Sequence, residues 1–163
     1  MAEMPEIRQA TVAELADLAR LERDAYGEHA FPPTALRQMF DIAPTLLIVA
    51  VKDDELIGHA IVLPSVSDGV REAWFVALAV RSDMRRSGTG RLLSSEVLRR
   101  AVGHGYETVM MTMEPGNTAG RALSESLGFV TNEQAGDYFE DGVPRLVMSW
   151  QAASGASLPT PFG

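Results

Sequence analysis

Arg85-Arg86-Ser87-Gly88-Thr89-Gly90 joins two runs of different character. The run before it, Ala73 to Val80, is apolar, and the run after it, Arg91 to Val102, is amphipathic. The pattern predicts a strand, a loop and a helix. Two glycines allow close backbone approach and positive φ. A loop that opens a helix points unpaired N–H groups and the positive end of the helix dipole at its guest. An anion is the natural guest, and a diphosphate is the commonest large one. Arg85, Arg86 and Arg91 add positive charge. A Walker A loop would continue Gly-Lys-Ser/Thr, but Gly90 is followed by Arg91-Leu92. A dinucleotide turn would place glycine or alanine where Leu93 stands, in the first strand–helix unit.

The 163 residues suit one compact domain, expected over 1–151. With 46 % hydrophobic and 22 % charged residues, the chain can bury a full core. No apolar run reaches the ~18 residues of a membrane span. The opening, Met1 to Glu6, is acidic and carries no signal-peptide pattern. There is no cysteine, which excludes disulfides, thiolate metal sites and a cysteine nucleophile, and agrees with a cytoplasmic protein. A net charge of −8 argues against general nucleic-acid binding and mildly favours cationic partners such as amines. His29, His59 and His104 are scattered, so no metal site is expected.

Outward from the loop, Ile7–Ala10 reads as a first strand. Thr11-Val12-Ala13-Glu14 reads as a capping box opening a helix that runs to about Tyr26. Pro33 or Thr34 starts a second helix. Leu46–Val51 and Leu56–Leu63 form a hairpin, with Gly58 marking a bulge. Thr108–Met113 is a strand, Pro115-Gly116-Asn117 a turn, and Thr118–Leu127 a short helix ended by Gly128. Val130–Gln134 and Tyr138–Glu140 read as irregular extended pieces, and Arg145–Trp150 as the last strand. The tail, 152–163, reads as disordered. The order of elements predicts a mixed sheet with helices on both faces, an α/β (α+β mixed) class.

Taken together, these segments resemble the GCN5-related N-acetyltransferases. Phe75-Val76-Ala77-Leu78-Ala79-Val80 looks like that family's fourth strand, and Arg85-x-x-Gly88-x-Gly90 resembles its acetyl-CoA loop. Asn117 stands at its post-strand asparagine. Leu123-Ser124-Glu125-Ser126-Leu127-Gly128-Phe129 is similar to its Leu-Tyr-x-x-x-Gly-Phe segment. Tyr138–Gly142 with Leu146-Val147-Met148 looks like its closing hairpin. The resemblance covers about residues 5–151 and implies a sheet of about seven strands flanked by about four helices.

The resemblance implies acetyl-CoA as acyl donor, with no metal. Its diphosphate would lie on the backbone of Arg85, Arg86, Ser87, Gly88, Thr89, Gly90 and Arg91, with Arg85 or Arg86 assisting. Leu78, Ala79 and Val80 would bind the pantetheine arm as an added strand. Asn117 would reach the arm or position the next helix. The strands Ala73–Val80 and Thr108–Met113 would splay to receive the thioester.

The implied chemistry is direct attack of a neutral amine, with a backbone N–H near Leu78 or Ala79 polarising the carbonyl. The family's usual glutamate falls at Trp74, so Glu72, two residues back on the same strand face, is the first candidate base, and Glu114 the second. The usual tyrosine acid is replaced by Ser124, which would hydrogen-bond the leaving sulfur directly or through water; Tyr138 is the alternative acid. Tyr26, Glu28, Phe31, Trp74 and Met113 would line the acceptor side. A small amine or a peptide or protein N-terminus is the expected acceptor. Another acyl-CoA, a carrier-protein thioester and a non-catalytic acyl-CoA-binding module are the alternatives. No nucleic acid or membrane partner is expected. Dimers are common in the family, but the sequence marks no interface.

Overall fold

The computed structural model describes residues 3–66 and 69–153. Among them, seven strands form one mixed sheet: β1 (Glu6–Gln9), β2 (Leu47–Lys52), β3 (Glu55–Pro64), β4 (Glu72–Val80), β5 (Thr108–Met113), β6 (Val130–Ala135) and β7 (Arg145–Gln151). The sheet order is β1-β2-β3-β4-β5-β7-β6. The pairs β1–β2, β2–β3, β5–β7 and β6–β7 are antiparallel. β4 and β5 are parallel, registered at Glu72–Thr108, Ala73–Val109 and Trp74–Met110. The α-helices are α1 (Leu15–Tyr26), α2 (Pro33–Ile42), α3 (Thr89–Gly103) and α4 (Thr118–Leu127). The mixed-sheet expectation is met. The tail expected to be disordered lies, from residue 154 on, outside the described residues.

The chain divides into two compact units, and β4 passes from one to the other between Trp74 and Phe75. The first unit runs through Leu63 and includes Phe75–Arg100. Its core joins Leu18 and Ala19 of α1, Leu36 of α2, Leu47 and Val49 of β2, Ile61 of β3 and Ala77 of β4. The helices supply these residues at helical spacing, and β2 supplies alternate positions. The β2–β3 turn places Asp53 at φ 52° and Asp54 at φ 61°, the two-residue geometry that matches strand twist. The register breaks between Ala50 and Val51, opposite Gly58, as the bulge expectation required. Gly58 has a second cause: a Cβ there would come within 2.9 Å of Leu93 Cδ1 and 3.0 Å of the Ala79 carbonyl oxygen. Its hydrogen lets α3 lie close to the sheet. From α3, Leu93, Val97 and Leu98 are buried.

The second unit comprises Pro64–Trp74 and the chain from Ala101 onward. Here β7 is central, between β5 and β6. Asn117 caps α4, its Oδ1 accepting the Gly120 N–H at 3.0 Å, and Gly128 ends the helix at φ 104°. Phe129 is buried, and the Trp150 indole donates to the Leu127 carbonyl at 3.0 Å. Two expectations are corrected. Val130–Ala135 is a regular edge strand with one bulge rather than an irregular piece, because β7 supplies a complete partner. Tyr138–Glu140 is not extended: Gly136–Phe139 is turn, and Glu140 takes φ 60°. Asp137 receives the Gly142 N–H at 2.8 Å, and Asp141 receives that of Val143 at 2.9 Å. These local bonds hold the loop curled.

Candidate functional site

On β4 burial alternates. Ala73, Phe75, Ala77 and Ala79 are buried, while Glu72, Trp74, Val76, Leu78 and Val80 are half-buried on the other face. In the first unit the strand runs into a one-turn 3-10 segment, Ser82–Met84, and then the basic loop. Arg81 is absorbed structurally, pairing with Asp83 at 2.7 Å and Glu55 at 2.8 Å. The Arg85 Nε–H reaches back to the Val80 carbonyl at 3.4 Å.

The loop makes its reversal at Arg86, φ 63°, and Gly88, φ 87°. Gly90 was expected to share that role and does not, since α3 already begins at Thr89. The backbone strain therefore falls on an arginine, and glycine is conformationally required at 88 alone. Ser87 fastens the turn: its hydroxyl donates to the Met84 carbonyl and shares a hydrogen bond with the buried Thr89 hydroxyl at 2.8 Å. Leu92 N–H closes the first helical bond on the Gly88 carbonyl at 3.1 Å. α3 thus opens directly out of the turn, at Thr89. Arg85, Arg86 and Arg91 are exposed around it. A loop of this shape opening a helix among basic side chains has the local features an anion site needs.

Leu78, expected to serve the donor arm, already has a partner. The Tyr26 hydroxyl, from the last residue of α1, donates to the Leu78 carbonyl, and the Leu78 N–H donates back to that oxygen at 3.3 Å. Desolvation around the hydroxyl pushes the Tyr26 pKa above its ordinary value, with Glu22 adding to the effect, although 40 % of the residue is exposed. It therefore stays protonated at neutral pH. Glu28 is a solvated loop charge, 3.7 Å from His29. Phe31 packs against the core, and its N–H donates to Glu22 Oε2 at 2.9 Å.

Sequence reading missed Glu22 and His59. Both are fully buried, with Glu22 Oε1 3.5 Å from His59 Nε2. Neither ring nitrogen of His59 nor Glu22 Oε1 has a hydrogen-bond partner among the described residues. Burial raises the Glu22 carboxyl and lowers His59 to about 4, so at neutral pH the imidazole is uncharged and the contact is not an ion pair. The available signals were Glu22 at a core position of the helix and His59 in an apolar strand.

In the second unit, Glu72 accepts the Trp74 indole N–H at 3.2 Å, so this candidate base is oriented by the residue that stands at the expected glutamate position. Met113 and Ser124 are buried. Glu114 is exposed and lies 3.8 Å from the Arg145 guanidinium, which binds Asp141 more closely, at 2.9 Å. Tyr138 is 40 % exposed and meets Phe139 edge-on at 4.7 Å, and Phe139 in turn lies 5.1 Å from the Arg145 guanidinium carbon. Asn117 spends its oxygen on the α4 cap. Among the described residues no group of three or more His, Asp or Glu is arranged to hold a metal ion, and no helix is long and apolar enough to cross a membrane.

A sequence model of the acetyltransferase (GNAT) family matches residues 14–129. A curated relative, the mycothiol acetyltransferase of Streptomyces coelicolor, is 33 % identical over 90 residues. That match takes in 55 % of this chain and spans only 28 % of the relative's length. Among solved structures, a chain of the NatC complex bound to Gag peptide and CoA matches with a TM-score of 0.84 at 18 % identity, over 92 % of this chain and 99 % of that one. The yncA protein of Salmonella typhimurium, solved with its cofactor acetyl-CoA, matches at 0.80 and 19 % identity, over 96 % and 98 %. At such identities the likeness is one of fold.

Proposed function

The chain belongs to the acetyltransferase (GNAT) family, and from that premise we propose that it moves an acetyl group from acetyl-CoA to a primary amine. The acceptor is a small molecule or a peptide or protein N-terminus. The observation that carries the proposal is the turn from β4 into α3. The chain reverses at Arg86 and Gly88, both at positive φ, and α3 opens at Thr89 with Arg85 and Arg86 exposed in the loop before it. The CoA- and acetyl-CoA-bound structures with the same fold support the donor.

The chemistry assigns roles to residues. An alkyl ammonium has a pKa of about 10, so a base must remove its proton before attack. Glu72, oriented by the Trp74 indole, takes that proton through water. The amine nitrogen then forms a bond to the thioester carbonyl carbon, and the carbonyl oxygen gains charge. The Leu78 N–H stabilises that oxygen. The C–S bond breaks as the carbonyl reforms and the thiolate leaves, while the nitrogen sheds the extra proton it gained in the attack, which passes to the sulfur. A thiol pKa of about 8.5 makes thiolate a moderate leaving group, so hydrogen bonding by Ser124 or Tyr138 suffices before it is protonated. Glu114 is the less favoured base, since Arg145 is its neighbour. Tyr26, Glu28, Phe31, Trp74 and Met113 are assigned to the acceptor side, and Asn117 to positioning α4.

The test is a thiol-release assay with acetyl-CoA and a panel of small amines, amino acids, polyamines and N-terminal peptides. The proposal expects release with one amine class, and at least tenfold weaker acetyl-CoA binding when Gly88→Val strains the loop. Calorimetric binding without release from any amine would favour a non-catalytic acyl-CoA module. No binding of acetyl-CoA at all would overturn the reading of the loop and favour a carrier-protein donor.

A further inference from the structure

The Leu78 peptide lies under a side chain of the same molecule. A strand residue presents its N–H and C=O together to one side, and a hydroxyl is both donor and acceptor, so one tyrosine can serve both groups. Tyr26 does so, donating to the Leu78 carbonyl and accepting its N–H at 3.3 Å. The carbonyl oxygen has two lone pairs and can keep Tyr26 while accepting again. The N–H has a single proton and serves one partner well.

Taking the proposed donor reading as its basis, we infer that Tyr26 is a built-in competitor with the thioester carbonyl for the Leu78 N–H. At 3.3 Å the Tyr26 oxygen is a long acceptor, one that a thioester carbonyl at normal hydrogen-bond length displaces. The backbone around Tyr26 does not need to move. The Glu22 carboxylate clamps the Phe31 N–H at 2.9 Å, holding the segment that follows α1, so the exchange is a side-chain rotation.

The consequence is discrimination between substrate and product. Acetyl-CoA brings a carbonyl that needs the Leu78 N–H. Free CoA, left after transfer, has none, and Tyr26 reclaims the N–H behind it. Tyr26 is thus a positioning residue that sets the ratio of acetyl-CoA to CoA affinity. A residue that merely supported the fold would move both affinities together.

The experiment uses the full chain and its Tyr26→Phe variant. Amide exchange at Leu78, measured without nucleotide, reads the contact itself and should quicken about fivefold in the variant, the size of one net hydrogen bond. Calorimetry with acetyl-CoA and with CoA reads the competition. The expected result is acetyl-CoA binding about fivefold tighter in Tyr26→Phe with CoA unchanged. Equal shifts for both, or weaker acetyl-CoA binding, would overturn the inference while leaving the donor assignment intact. If the unaltered chain binds neither molecule, the donor reading fails and the inference falls with it.

Discussion

Two glutamates little more than two turns apart at the start of the chain live in opposite environments. Glu14 sits at the surface end of α1. It takes Arg8 on both carboxylate oxygens at 2.8 Å and the Thr11 N–H at 2.9 Å. The Arg8 hydrogen bonds, above all, hold its carboxyl down at about 2. Glu22, inside α1, is buried, and one of its oxygens has no hydrogen-bond partner among the described residues. Its pKa is raised by burial and only partly drawn back by the Phe31 N–H. The first is a satisfied carboxylate that stabilises where it stands. The second is a costly group whose use is to tether the chain beyond α1. Full satisfaction marks a stabilising device, and a buried deficit marks a positioning one.

Truncation gives the largest separation. Glu22→Ala should lower stability by about 3 kcal/mol, because it deletes the Phe31 anchor and leaves a cavity beside His59. Urea denaturation with an unchanged m-value reads it. Glu22→Gln keeps a carbonyl for Phe31 and should lose far less. Equal losses for the two variants would show that charge, not the tether, is what matters.

Acid separates the two sites by pH window. His59 has its folded pKa at about 4, below its ordinary 6.5. The unfolded chain therefore takes up that proton first, and stability should fall as pH drops from about 6.5 towards about 4. The raised Glu22 works the other way, since its folded carboxyl is protonated first, and it blunts the fall. Thermal melts of His59→Leu should lack this decline. Glu14 acts lower down: its stabilisation is complete above its ordinary 4.5 and lost as pH falls through about 2. If His59→Leu melts keep the upper window, the buried pair is not its source.

A smaller effect is expected from Glu14→Gln at neutral pH, about 1 kcal/mol, as for other helix-start contacts, with the lower acid window removed in melts. The smallest is Arg121→Ala. That side chain pairs with Glu125 at 2.9 Å on an exposed helix face, and chemical denaturation should find a change below about 0.5 kcal/mol. A change as large as that of Glu14→Gln would mean that pair geometry alone, without the helix-start role, explains Glu14.

Much of this fold was legible because its signals are local. The Thr11–Glu14 pair, the limits of β4, the strand Thr108–Met113 and the Asn117-to-Gly128 helix all follow from neighbours within a turn or from periodicity. Even there a local rule misplaced one detail. The glycine pair suggested two positive φ values within the glycines, but the helix claims Gly90 and the reversal falls on Arg86. The Tyr138 loop was misread as extended because its shape comes from Asp137 and Asp141 bonding to nearby N–H groups, a competition that periodicity does not register.

The sequence by itself determined the order of elements, the family resemblance and the strand–loop–helix turn at 85–90, since turn chemistry and hydrophobic spacing act over a few residues. Tertiary structure alone decided that Tyr26 lies on Leu78 and that Glu22 faces His59. Those partners are far apart in the chain, and no short-range pattern encodes which of three tyrosines or three histidines the folded backbone brings to a given peptide or carboxylate. Burial then sets their protonation, because desolvation depends on what surrounds a group in space and not on its neighbours in sequence.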